Sequence, residues 1–259
     1  MIVTGNLPAG EAPSCPPGTR LLASIDVEWS KNYRVKDGNV PFCFSVTWLP
    51  LPGCDFAVTD TTGFWYTSAY VEDDGERGDL ITAAGSALEC IASHASLVTG
   101  HQLCSDLAVL AASAGGKPAA IEAARSAWRQ RRQAGPGQLA YLDTRYDTGH
   151  VLRCQSRRLV DVCTDLALDV TQPELRGASM TALHRRWTEH GDTTAREKIT
   201  VLNLRHSLST AIVAARATGV ARWHPGLNVN RLLAAHLGST LGWTASPAFT
   251  ALLGGPGAA

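Results

Sequence analysis

Asp26 and Glu28 stand two apart at the end of an apolar run, Leu21-Leu22-Ala23-Ser24-Ile25, and Trp29 follows them. An extended segment alternates its side chains, so both carboxylates project from one face. Side by side they repel unless something positive lies between them, and a divalent cation with hard oxygen ligands is the usual answer. Asp-x-Glu also occurs by chance on surface strands, so its meaning turns on further donors downstream. His101 and Cys104, three apart, form a second pair, readable as a thiol nucleophile or a metal pair. No Gly-rich phosphate loop of the P-loop or dinucleotide-binding type is present.

The elements that must position these residues follow from periodicity and breakers. Leu21 to Ser30 reads as a strand, Val40 to Leu49 as a second and Gly63 to Val71 as a third, a meander rich in aromatic and β-branched residues. Helical spacing then predicts a helix over 79–94, a short strand over 96–100, and helices over 105–114 and 117–133, the last opened by Pro118. Residues 138–147 and 150–163 read as two strands around a turn at Thr148-Gly149, so about 117–158 forms a helix-hairpin insert. Helices are expected over 179–190, with Ser179 as N-cap, over 194–218 and over about 228–241, the last capping the core or forming an interface. The Pro- and Gly-rich ends, 1–19 and 246–259, read as flexible tails around a single domain spanning 20–245.

Composition sets outer limits. The chain has 259 residues, is 45% hydrophobic, and carries 23 basic against 23 acidic side chains. A net charge of zero argues against a general nucleic-acid coat protein and leaves room for an enzyme gripping a strand end. Arginines cluster at 125, 129, 131 and 132, again at 153, 157 and 158, and at 185 and 186; each cluster is either a solvated face or a phosphate contact. Seven cysteines at irregular spacing, with no C-x-x-C pair, speak against a disulfide framework or zinc knuckle. With no basic-then-apolar leader and no long apolar run, the expectation is a cytoplasmic protein without a membrane partner.

The order β-β-β-α-β-α, with Asp26-x-Glu28 on the first strand, resembles the ribonuclease H-like fold. Within it the chain resembles the DEDD superfamily of 3′–5′ exonucleases, whose second motif is a strand ending in Gly-His-Asn before a helix carrying Asp and then Leu. Here that stretch is Thr99-Gly100-His101-Gln102-Leu103-Cys104-Ser105-Asp106-Leu107. The resemblance implies an α/β fold with three antiparallel strands, then parallel strands, flanked by helices. It implies Mg²⁺ or Mn²⁺ as cofactor, two ions about 3.5–4 Å apart, held by Asp26, Glu28 and Asp106. It implies hydrolysis at the 3′ end of single-stranded RNA or DNA, with Trp29, His101, Gln102 and Arg205 on the substrate side. Each residue has a blander alternative: Asp106 complements a helix N-terminus, and Trp29 packs in the core instead of stacking on a base. A homodimer built on the insert is the other partner considered.

The family's last motif departs. It carries Asp-Ala-x-x-Thr on a late helix, with a His five before the Asp or a Tyr four before it. Aligning Thr210 puts His206 in the place of the Asp, and Val201 or Leu202 in the place of the base. Three readings stay open: His206 serves as nitrogen ligand or base, the missing acid comes from Asp161, Asp143 or the His184–Glu189 pair, or the chain binds without cutting.

Overall fold

The computed structural model describes residues 1–30, 38–53, 55–135, 137–238 and 240–254. The chain runs β1 (Ile2–Gly5), β2 (Arg20–Ser30), β3 (Val40–Leu51), the short β4 (Phe56–Ala57) and β5 (Trp65–Tyr70), then α1 (Arg77–His94), β6 (Leu97–Gly100), α2 (Leu103–Ser113), α3 (Ala119–Gln130) and β7 (Ala140–Asp143). There follow α4 (Leu159–Asp165), β8 (Leu168–Asp169), α5 (Met180–His190), α6 (Thr193–Ala217), β9 (Ala221–Arg222), β10 (Leu227–Asn228), α7 (Val229–Leu237) and α8 (Pro247–Thr250).

Six strands form one mixed sheet in the order β1-β5-β3-β2-β6-β7. The pairs β1–β5, β5–β3 and β3–β2 are antiparallel; β2–β6 and β6–β7 are parallel. Both faces are covered, which is why β2 and β3 are buried almost continuously instead of alternating. Leu21, Ala23, Ile25 and Val27 pack with Leu80 and Ile91 of α1 and Leu107 and Leu110 of α2. Leu22, Leu49 and Leu97, from the other face, pack with Leu204, Leu208 and Ile212 of α6. The alternation that sends Ile25 and Val27 toward α1 and α2 therefore turns Asp26 and Glu28 toward α6.

Helix α6 is buried on nearly every side from Ile199 to Ala215, as expected of a helix sandwiched between a sheet and further helices. Its few polar side chains must then find partners inside. Ser207 donates to the Ser24 carbonyl at 3.0 Å and meets the Thr47 hydroxyl at 3.0 Å, which sets the helix against β2 and β3. Where β6 ends, Gly100 is needed for close approach: a Cβ there would sit 2.9 Å from the Leu103 Cβ and 3.1 Å from the Ile25 carbonyl oxygen.

Several expectations are corrected. Residues 138–163 are not a hairpin: Ala140–Asp143 joins the main sheet parallel to β6, and Leu159, Val162 and Cys163 take the i, i+3, i+4 spacing of α4. Helix α3 and β7 are thus part of the central architecture and not an insert. The N-terminal tail contributes β1, whose pairing with β5 gives Ile2–Gly5 a hydrogen-bonding partner. Residues 246–254 are not a loose tail either, since Phe249 is buried in the core and Asn228 donates to the Leu252 carbonyl; residues 255–259 lie outside the described residues. Leu232, Leu233, Leu237 and Leu241 cap the α6 core. Among the described residues no helix is long and apolar enough to cross a membrane.

Candidate metal centre

Asp26 and Glu28 come from the same face of β2, just before a register shift between Glu28 and Trp29 that releases the strand from regular pairing with β3. Across from them, Asn203 and His206 lie three apart on α6 and so share a face. The Asn203 amide donates to the Asp26 carboxylate at 2.6 Å and to the Asp26 carbonyl at 3.2 Å. The Cys43 thiol donates to the Asn203 side-chain oxygen at 3.7 Å, fixing the amide's orientation. The His206 Nδ1 lies 3.4 Å from the Glu28 Oε1 and 3.7 Å from the Asp26 Oδ2. Donor atoms of Asp26, Glu28 and His206 all fall within 4.8 Å of one another, so these three could hold a metal ion.

Charge explains the local titration. Burial would depress the His206 imidazole, but hydrogen bonds and charge from Asp26 and Glu28 outweigh it and raise the ring to about 10. Burial raises the Glu28 carboxyl; its hydrogen bond from His206 pulls back, and the charge of Asp26 adds to the rise. The His206 Nε2 sits 3.0 Å from the Gln172 amide. A ring protonated on both nitrogens requires that amide to present its oxygen, whereas an amide N–H can donate only to an unprotonated Nε2.

Asp106 stands in the first turn of α2 and is 2% exposed. Its Oδ2 is buried with no hydrogen-bond partner among the described residues. Burial raises its carboxyl well above the usual range, and the charges of Asp26 and Glu28 push in the same direction. Asp106 lines the same cleft but is not in the group within 4.8 Å, so the compact donor set has three members, suited to one ion. An orphaned carboxylate oxygen beside two further carboxylates and an imidazole is what a cation would satisfy, and on that ground the residues fit a divalent metal.

The cleft, about 770 Å³, is also lined by Trp29, His101, Gln102, Ser105 and Met180, a size within the usual span of small-ligand pockets. Gln102 takes a left-handed conformation (φ 68°) at the start of α2; its N–H donates to Asp143 and its amide to the Ser105 hydroxyl. His101 lines the wall, but both ring nitrogens are engaged, Nδ1 by the Thr144 hydroxyl and Nε2 by the Arg157 carbonyl, each at 2.9 Å. Burial pushes its pKa down to about 4. It is a neutral clasp between strand-end loops, and Cys104 makes no metal pair with it in the compact donor set.

Arg205 does not face the cleft. It is fully buried, its fork pairing both Glu174 oxygens at 2.7 Å and its Nε donating to Asn230 at 2.7 Å. Adjacent helical residues diverge by about 100°, so with His206 turned to the carboxylates Arg205 must point elsewhere. The substitute acids are committed too. Asp143 accepts from Gln102, Arg145 and the Trp128 indole; Asp161 accepts from the Ser156 hydroxyl; Glu189 pairs with Arg185; and His184 stacks on Phe42 at 3.9 Å. Val201 and Leu202 are fully buried core residues. Asn203 and Gln172 were not among the sequence candidates. Asn203 carries a signal, being a polar residue three before His206 in an apolar helix, whereas Gln172 arrives from a distant loop. No protein-family model and no curated protein matches the chain.

Proposed function

We propose that this chain is a ribonuclease H-like, metal-dependent 3′–5′ exonuclease of the DEDD type, acting on single-stranded RNA or DNA ends, in which His206 stands in for the fourth carboxylate. The convergence of Asp26, Glu28 and His206 within 4.8 Å, beside the unpartnered Asp106 oxygen, carries this reading. The strand order β5-β3-β2-β6-β7, three antiparallel strands and then two parallel ones, supports it.

When bound, Mg²⁺ or Mn²⁺ supplies Lewis-acid stabilisation of the scissile phosphate and its leaving oxygen. The protein's own residues set the conditions. Asn203 holds one oxygen of Asp26 and so fixes the carboxylate's plane. Gln172 holds the far nitrogen of His206, which leaves Nδ1 turned to Asp26 and Glu28 as the ligand atom. An imidazole in place of a carboxylate removes one negative charge and favours Mn²⁺ over Mg²⁺. Trp29 and Gln102, on the cleft wall, are the surfaces against which a terminal nucleotide would rest.

A second reading has its own observation. A protonated His206 already lies between the two carboxylates and neutralises them as a cation would, and no proton acceptor stands at Val201 or Leu202. In that case the cleft binds a strand end without cutting it. End-labelled RNA and DNA oligonucleotides incubated with the pure protein in Mg²⁺ and in Mn²⁺ separate the two. Metal-dependent shortening that vanishes in Asp26→Asn supports the enzyme. Shortening that survives the substitution, or none in either metal, rejects it.

A further inference from the structure

We propose that the loop after β7, carrying Arg145 and Tyr146, is a binding track for the nucleotides upstream of the strand end held in the cleft. This rests on the reading of the cleft as a nucleic-acid site, and it adds that the bound molecule is a single strand several nucleotides long.

The placement follows from the sheet. Gly100 and Asp143 are paired as the last residues of the adjacent parallel strands β6 and β7, so the loops leaving them lie side by side at one sheet end. The first of these loops, His101-Gln102, is a wall of the cleft. The second, Thr144-Arg145-Tyr146, is fastened to it: Thr144 holds His101, and one oxygen of Asp143 accepts from both the Gln102 and Arg145 N–H groups.

Two chemical features select a single-stranded nucleic acid. Tyr146 is 48% exposed, unusual for a large aromatic residue, and the Arg145 guanidinium lies 5.9 Å from its ring centroid. A solvent-facing ring with an arginine beside it is a base-stacking platform with a phosphate contact. Residues 128–158, which include this loop, hold seven arginines and two aspartates in a chain whose charges balance overall; Arg131 and Arg132 pair with Asp147, and Arg158 with Asp161. Both aspartates are spent, Asp143 on N–H groups and Asp147 on Arg131, while Arg145 has no carboxylate partner among the described residues.

Fluorescence anisotropy with 5′-labelled eight-nucleotide oligo(U) and oligo(dT), in EDTA so that no cleavage intervenes, tests this on the full chain. Tyr146→Ala should weaken binding about tenfold and Tyr146→Phe should retain it. Arg145→Gln should lower the slope of log affinity against log salt by about 0.7, the value for one single-strand phosphate contact. Arg185→Gln, an exposed arginine elsewhere, should change neither. Stronger binding of oligo(U) assigns RNA as the strand, and stronger binding of oligo(dT) assigns DNA. Binding unaltered in folded Tyr146→Ala and Arg145→Gln, or no binding of either oligonucleotide by the parent chain, overturns the track. Because the measurement needs no metal, a parent chain that binds through Tyr146 but never shortens the strand would refute the exonuclease reading alone.

Discussion

Replacing His206 by Gln in the metal-free protein should reduce the loss of stability that the parent chain shows between about pH 7 and pH 9.5. The imidazole titrates at about 10 in the fold, against an ordinary 6.5. A raised folded-state pKa means the folded form holds the proton more tightly. The contribution is therefore complete below about 6.5 and disappears as pH rises through 10. The full interval corresponds to roughly 5 kcal/mol at about 1.4 kcal/mol per unit. The His206 side chain is 21% exposed at the cleft, and solvent screening there brings the expected loss to about 2 kcal/mol. For a chain of this size that is a fall in Tm of about 4–8 °C. Glu28 and Asp106 have raised carboxyls, so their contributions also decline with rising pH; both groups remain in the variant, and only the difference between the two curves reports His206. Thermal melts in EDTA, parent against His206→Gln across pH 7–9.5, measure the difference directly. Parallel curves for the two proteins would refute the account of His206 as the cation between Asp26 and Glu28. Saturating Mn²⁺ should flatten the parent curve, because a metal and that proton compete for the same site.

Three other outcomes are expected. Asn203→Ala should cost about 1–3 kcal/mol in urea denaturation, since it strips a hydrogen bond from a half-buried carboxylate, and should weaken Mn²⁺ binding measured by calorimetry. Arg205→Ala should cost about 3–5 kcal/mol by leaving the Glu174 charge buried and unpaired, whereas Arg205→Met combined with Glu174→Met should recover most of that stability; equal losses in both would count against the buried pair. His206→Asp should raise Mg²⁺ affinity, and with it any Mg²⁺-dependent strand shortening; calorimetry showing weaker Mg²⁺ binding would oppose the assignment of that position as a ligand.

The parts of the site legible in the sequence are those governed by local periodicity. Alternation along β2 put Asp26 and Glu28 on one face, and the short strand ending at Gly100 located Asp106 in the first turn of α2. Matching Thr210 in register was enough to bring His206 to the carboxylates. The misreadings have a common origin in partners that sequence spacing does not reveal. Residues 138–163 alternate well enough to suggest a hairpin, but β7 finds its partner 43 residues earlier in β6. Arg205 is charged, so it reads as a surface contact; only tertiary structure supplies Glu174 and makes it a core residue. Gln172 reaches His206 across 34 residues from a segment with no regular structure, and nothing local marks it.

Gln172 and Glu174 flank the buried Pro173 and take hold of consecutive residues of α6, His206 and Arg205. Proline restricts both its own backbone and that of the residue before it, so the spacing between the two grips is stiff. The imidazole is therefore aimed by a loop that is itself anchored by an ion pair in the core. In related chains the four positions should vary as two separate pairs. A chain that exchanged His206 for an acid would have no use for the Gln172 amide, yet would still need Glu174 for Arg205. Gln172 should therefore drift with position 206 while the Glu174–Arg205 pair stays coupled, a pattern that separates the residue tuning the site from the one holding the loop in place.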